Sequence, residues 1–286
     1  MRALLLLLVV TTTSAAAEYD DQLPAWSPDG ARIAFQSNRS GRHQIHVLRL
    51  ADGSTPQVTG GDAPATGPAW SPDGQWLLFD RPADGSQEIF RHELASGTTT
   101  QLTREPRAFD AVAAVSPQGD WIAFDSNRLP DELAKIFLMR PDGSEQQLLF
   151  ATDASVGHPA WSPDGNRIAY RQRANSATRL SELQVFDRRT GESRALTANG
   201  ATNAAPAWSP DGSALVFTST VDGNPELYRL ELATGALTRL THDPANDTRA
   251  TFSPDGRQIA FCSNRSGRFR IYVMNADGTE VRAVTR

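Results

Sequence analysis

The residues of this 286-residue chain best placed to do chemistry are carboxylates at matching points of a repeat. Asp21, Asp110 and Asp247 each stand six residues ahead of a serine that opens a Ser-Pro turn, and Ala65, Val156 and Asn203 fill the same column in three further copies. Two positions on, the column reads Leu23, Gly67, Val112, His158, Ala205 and Arg249. Neither column keeps one residue type, unlike the scaffold columns of the repeat, such as the Ala-Trp-Ser that follows in four copies. Function is expected where the repeat stops repeating, so Asp21, Asp110, His158, Asn203, Asp247 and Arg249 are the candidate ligand-binding residues. Converging carboxylates could serve acid–base chemistry, and Asp21 and Asp247 with neighbouring carbonyls offer the oxygen ligands that Ca²⁺ takes. No Asp-x-Asp-x-Asp-Gly loop accompanies them, and solvated aspartates at a strand entrance are the plainer reading, so no cofactor is expected.

Other chemistry is sparse. Cys262 is the sole cysteine, which rules out an internal disulfide. It shares a polar column with Gln36, Asp80, Asp125, Arg171 and Thr218, and no histidine recurs beside it in sequence, so it reads as a small scaffold side chain rather than a nucleophile. The five histidines fall at different repeat positions, whereas a catalytic zinc needs three converging protein ligands. Gly-x-Ser-x-Gly, His-Glu-x-x-His and P-loop patterns do not occur. No catalytic residue or metal ligand is assigned.

The elements that position these residues follow from the repeat itself. Its serines are Ser27, Ser71, Ser116, Ser162, Ser209 and Ser253, spaced 44 to 47 residues apart, a period of propeller blades or helical arrays. Each unit holds four short segments. The first ends in Ala-Trp-Ser or a variant. A Ser-Pro-Asp-Gly turn follows, in which proline presets φ and glycine accepts the bend. The second segment carries Phe35, Phe79, Phe124, Tyr170, Phe217 and Phe261 in runs too short for stable helices and suited to buried strands. The third leads to a turn containing Gly53, Gly97, Gly143, Gly191, Gly235 or Gly278, and the fourth ends in Val-Thr, Leu-Thr or Leu-Leu. Six such units predict an all-β, six-bladed β-propeller of four-stranded antiparallel blades. Trp26, Trp70, Trp161 and Trp208 are expected to pack between blades, and the third unit departs with Val115 and Gln118.

The stretch AWSPDGARIAFQSNRSGRHQIHVLRLADGSTPQVT resembles the repeat of the TolB-like propellers, whose SPDG repeats are related to WD repeats, and the resemblance runs over residues 22–286. The founding member carries an α/β domain ahead of its propeller; here residues 18–22 alone precede the first blade. The blades are placed at about 22–60, 61–104, 105–150, 151–198, 199–242 and 243–286. Residues 18–22 are too few for an extra outer strand and the last unit holds its own fourth segment, so closure without strand exchange is expected. The near-identical SNRSGR stretches at 37–42 and 263–268 then fall on adjacent blades. The resemblance implies recognition of a protein or peptide segment, with cell-envelope proteins as possible partners.

The first 17 residues read as a secretory signal: Arg2, an apolar run over Ala3–Val10, and Ala15-Ala16-Ala17 before Glu18. No segment is apolar for long enough to cross a membrane as a helix. Formal net charge is −5, which offers little attraction to phosphate, and nucleic acid is not an expected partner. The expectation is a periplasmic or secreted monomer that binds a protein or peptide at its channel mouth and loops. The alternative is a carbohydrate- or lactone-active propeller enzyme with a carboxylate or metal site in the channel.

Overall fold

A computed structural model of the chain describes residues 19–173 and 180–286; the signal read at 1–17 lies outside them. All its regular elements are strands, and among the described residues no helix is long and apolar enough to cross a membrane. The strands form six separate antiparallel sheets, each built from one consecutive stretch of chain. Six innermost strands, Asp21–Trp26, Thr66–Trp70, Asp110–Val115, Ser155–Trp161, Asn203–Trp208 and Asp247–Phe252, surround the channel, and within each blade the chain steps outward strand by strand. This is the six-bladed propeller expected.

Five sheets have four strands, and the first has three. Residues 54–58 of blade 1 still follow the third strand, Gln44–Arg49, through a His46–Gln57 bridge. The amides of Val47 and Arg49 donate to the carbonyls of Pro56 and Ser54, and Val58 donates to Ile45. Pro56 has no N–H to return to this ladder, which reduces the outer strand to a bridge.

The apolar core is distributed between blades. Trp76, Leu78 and Ile89 of blade 2 pack on Ile122, Phe124 and Phe137 of blade 3. At the closing seam, Ile33, Phe35 and Leu48 of blade 1 meet Ala260, Ile271 and Val273 of blade 6. The last sheet is built from its own four strands, so the ring closes without strand exchange. Backbone contacts at the seam copy those elsewhere. Asp21 N–H donates to the Phe269 carbonyl at 2.9 Å, as Ala65 does to His43 at 2.8 Å and Asp247 to Pro225 at 2.9 Å.

The repeated turns hold the opposite end. In each Ser-Pro-Asp-Gly turn the serine hydroxyl donates to the aspartate, for example Ser71 to Asp73 at 2.6 Å, while the glycine sits in the left-handed region, +67° at Gly74. The serine hydroxyl holds the Asp211 carboxyl down to about 2. Proline of one turn lies against glycine of the next: Pro28 on Gly74, Pro72 on Gly119, Pro210 on Gly256, and Pro254 on Gly30 across the seam. In blade 3, Gln118 itself covers Gly165. The indole N–H groups of Trp70, Trp161 and Trp208 each donate at 3.0 Å to an alanine carbonyl of the preceding blade. These tryptophans do pack between blades; the Trp26 indole N–H, at the seam, is buried without an acceptor among the described residues.

Candidate functional site: the channel chamber

Each innermost strand breaks its register once. In blade 1, Gln22 pairs with Gln36 and Ala25 with Ala34, so Leu23 and Pro24 together oppose the single residue Phe35. The same β-bulge recurs in the other five blades. Its first residue is left-handed throughout: Leu23 (+54°), Gly67 (+62°), Val112 (+55°), His158 (+56°), Ala205 (+52°) and Arg249 (+58°). For a β-branched residue such as Val112 this conformation is costly, on the order of 1–3 kcal/mol, and survives only where surrounding contacts fix it. Pro24, Pro68, Pro159 and Pro206 follow four of the bulge residues, at a place where the ladder asks for no N–H.

The fixing contact comes from the neighbouring blade. The bulge amide donates to the side chain that follows the buried aromatic of the preceding second strand. Gly67 donates to Gln36 at 3.3 Å, Val112 to Asp80 at 3.2 Å, Arg249 to Thr218 at 3.1 Å and Leu23 to the Cys262 sulfur at 3.0 Å. His158 donates to both Asp125 oxygens, at 3.0 and 3.1 Å. The polar column is therefore an acceptor column. Arg171 is the exception, because a guanidinium cannot accept. There the Ala205 amide donates to Nδ1 of His158 at 3.3 Å instead. A neutral imidazole accepting at Nδ1 carries its proton on Nε2.

The bulges enclose a chamber of about 300 Å³. Leu23, Val112, Ala205 and the four prolines line it, with Asp80, His158 and Arg249 as its ionisable members. Oδ2 of Asp80 holds the Val112 amide while Oδ1 is buried with no partner. Arg249 has no carboxylate within ion-pair distance among the described residues; its Nη2 reaches Nε2 of His158 at 3.5 Å. Burial pushes Asp80 well above the usual carboxylate range, with Asp125 and Asp110 adding to the shift. Burial likewise raises Asp125, to about 7, against the pull of the His158 amide and of Arg171 and Arg249. His158 is driven well below the ordinary imidazole value by burial and then by Arg249, Arg171 and Arg173, so it stays neutral. Burial pushes the Cys262 thiol up to about 12, which leaves it protonated and unreactive.

Of the six residues singled out from sequence, His158 and Arg249 meet in this chamber, and the other four do not line it. Asp21, Asp110 and Asp247 are fully buried, each held by an arginine 18 residues on. Arg39 grips both Asp21 oxygens at 2.8 Å, Arg128 meets Asp110 at 2.6 Å, and Arg265 meets Asp247 at 2.7 Å. Asn203 donates to Glu182 at 2.8 Å and Asn199 at 2.7 Å. These side chains tie strand entrances to loops. The sequence carries a signal for it: in blades 2 and 5, where alanine and asparagine replace the aspartate, the position 18 residues on is Ala83 or Val221. The twin SNRSGR stretches share this duty through Arg39 and Arg265. Asp80 and Asp125 were visible only as members of a polar column.

Close packing over these carboxylates is itself testable. A Cβ on Gly157 would stand 2.4 Å from Oδ2 of Asp125. Gly157→Ala is expected to cost about 1–3 kcal/mol through overpacking, measured by urea unfolding, and an unchanged midpoint would contradict the packing described.

Residues 8–131 and 125–286 match the family described as the TolB beta propeller domain. The chain belongs to that family. Among solved structures, a putative TolB from Agrobacterium tumefaciens is similar at 22% identity and TM-score 0.73, over 85% of this chain and 88% of that one. An oligogalacturonate lyase in complex with manganese is similar at 18% identity and TM-score 0.64, over 94% and 78%. A puromycin-hydrolyzing peptidase of Mycobacterium tuberculosis is similar at 18% and 0.66, with 93% of this chain covering 47% of that one. At these identities the likeness is one of fold, shared by proteins of different activity. No curated relative was matched.

Proposed function

We propose that this TolB-family propeller is an exported binding protein that admits a protein or peptide segment to its channel and performs no chemistry on it. One observation carries the reading: the chamber presents Oδ1 of Asp80 with no hydrogen-bond partner and the Arg249 guanidinium with no ion-pair partner among the described residues, set among prolines and aliphatic side chains. A pocket lined mainly by apolar surface with a few convergent polar groups is the usual form of a ligand site. Family membership and the 88% coverage of the Agrobacterium tumefaciens putative TolB support the same reading, and with the leader read at 1–17 they support an envelope location. The partner is a protein or peptide, with envelope proteins the first to test.

Selection of linear peptides from a displayed library against the propeller tests this. A selected peptide is expected to bind Arg249→Gln at least about ten-fold more weakly, the loss of one charge-assisted hydrogen bond, in a variant whose melting temperature stays close to the parent's. Equal affinity for both proteins would move the site off the channel.

The enzyme reading draws on two buried carboxylates raised by burial, Asp80 in the chamber and Asp125, the latter to about 7; Asp80 holds the Val112 amide through Oδ2. Both Asp125 oxygens are occupied by the His158 amide and Asp125 does not line the chamber, and among the described residues Asp80 has no second carboxylate beside it in the lining, which favours binding over catalysis.

A further inference from the structure

We propose that the chamber is a carboxylate pocket, in which the Arg249 guanidinium and the Nε2–H of His158 donate together to one carboxylate of the entering ligand. This rests on the reading of the channel as a peptide site and names the group recognised there.

The chamber holds a surplus of donors. His158 accepts the Ala205 amide at Nδ1, so its Nε2 is a donor, and it faces Nη2 of Arg249 at 3.5 Å, also a donor. Two donors cannot satisfy each other. An acceptor placed between them would complete both, and a planar carboxylate matches a guanidinium edge in a way a single carbonyl does not. Arg249 has no ion-pair partner among the described residues although it is largely withdrawn from solvent. Such a charge is normally paired.

The surroundings point the same way. Asp80 lines the same chamber, is only 5% exposed, and has an unpartnered Oδ1. Burial raises it, against the pull of the Val112 amide and of Arg249, and so favours its neutral acid form, which offers an O–H, over a competing negative charge. Nε of Arg171, the guanidinium that displaced an acceptor from the polar column, is also buried and unpaired among the described residues. A cation entering here would meet Arg249; an anion meets donors. The volume, about 300 Å³, accommodates a residue or two at the end of a chain, or one acidic side chain.

The probes are acetyl-Ala-Ala-Ala with a free C-terminus, the same peptide as its C-terminal amide, and acetyl-Ala-Glu-Ala-amide. Each is titrated into the ¹⁵N-labelled propeller, following the backbone amides of Val112, His158 and Arg249 and the His158 ring nitrogens. The free acid is expected to bind about ten-fold or more tightly than its amide. In Arg249→Gln that ratio should fall below about two, with Arg249→Lys between, since it keeps the charge without the fork. Matching affinity of the glutamyl amide and the free acid would make an acidic side chain a sufficient source; preference for the free acid would assign the site to a chain terminus. Acid and amide shifting the chamber signals alike would overturn carboxylate recognition and leave the channel reading standing. An acid–amide gap that persists in Arg249→Gln would overturn it too. Silence of these signals with all three probes would overturn the carboxylate pocket, and if the selected library peptide is silent there as well the channel reading falls with it.

Discussion

Replacing Asp21 by alanine is expected to cost about 3 kcal/mol of folding stability, a fall in melting temperature of roughly 6–12 °C for a domain of this size. Asp21 is fully buried and is the sole carboxylate on Arg39 among the described residues, and Arg39 reaches both of its oxygens at 2.8 Å. Arg39 is committed elsewhere as well. Its Nε donates to Ser37 at 3.0 Å, its Nη1 to Thr55 at 2.6 Å, and its guanidinium lies over Phe35 and Tyr19 at 5.2 and 4.8 Å. It cannot swing into solvent without breaking these contacts, so removing the carboxylate strands a largely buried charge. Asp21→Asn should cost less, because the amide oxygen still accepts. Asp21→Ala combined with Arg39→Met should recover part of the loss, giving a coupling energy of at least about 1 kcal/mol in a double-mutant cycle. Purely additive effects would mean that the pair contributes nothing beyond its separate contacts. Asp247 with Arg265 repeats the arrangement on the other side of the seam. Substitutions at either aspartate therefore report first on stability, which is why the binding tests use Arg249.

The second large effect is a pH dependence from Asp125. Its folded-state value is about 7 against an ordinary 3.8, so the native state holds a proton that the unfolded chain releases. A group raised in this way contributes stability that is fully present below about 4 and is lost as pH rises toward 7, after which the contribution is flat. The groups around it act in opposite senses: burial raises it, while the His158 amide, Arg171 and Arg249 lower it. Asp125→Asn keeps an acceptor for the His158 amide and removes the ionisation. Relative to the parent, the variant should gain about 3 kcal/mol between pH 5 and pH 8, read from urea unfolding at both values. A parent–variant difference that does not change with pH would show that Asp125 ionises freely in the folded protein.

The blades were legible in the sequence because their cues are local. Ser-Pro-Asp-Gly forces a turn by the φ of Pro28 and the left-handed freedom of Gly30, and an aromatic such as Phe35 between aliphatic neighbours marks a buried strand. Inter-blade tryptophans were legible too, since each ends an inner strand against the preceding blade. The bulge was not. Its first position holds leucine, glycine, valine, histidine, alanine and arginine, and residue type does not announce a left-handed valine. The prolines at 24, 68, 159 and 206 were the available sign that the ladder is interrupted there. Asp21 and Asp247 read as acids at a strand entrance, and the direction each side chain takes, inward onto Arg39 or Arg265, is a tertiary property. Asp80 has no local cue at all. It becomes part of the chamber because the next blade needs an acceptor for Val112 and leaves the second oxygen over.

On the proposed function, ligand enters the chamber made by the six bulges. The most direct measurement is a backbone amide shift map of the propeller titrated with the library-selected peptide. The amides of Leu23, Gly67, Val112, His158, Ala205 and Arg249 are predicted to move together with a single dissociation constant, because they ring one cavity. Shifts confined to the outer hairpins, around Gly53, Gly97 and Gly235, with the bulge amides unmoved, would contradict it.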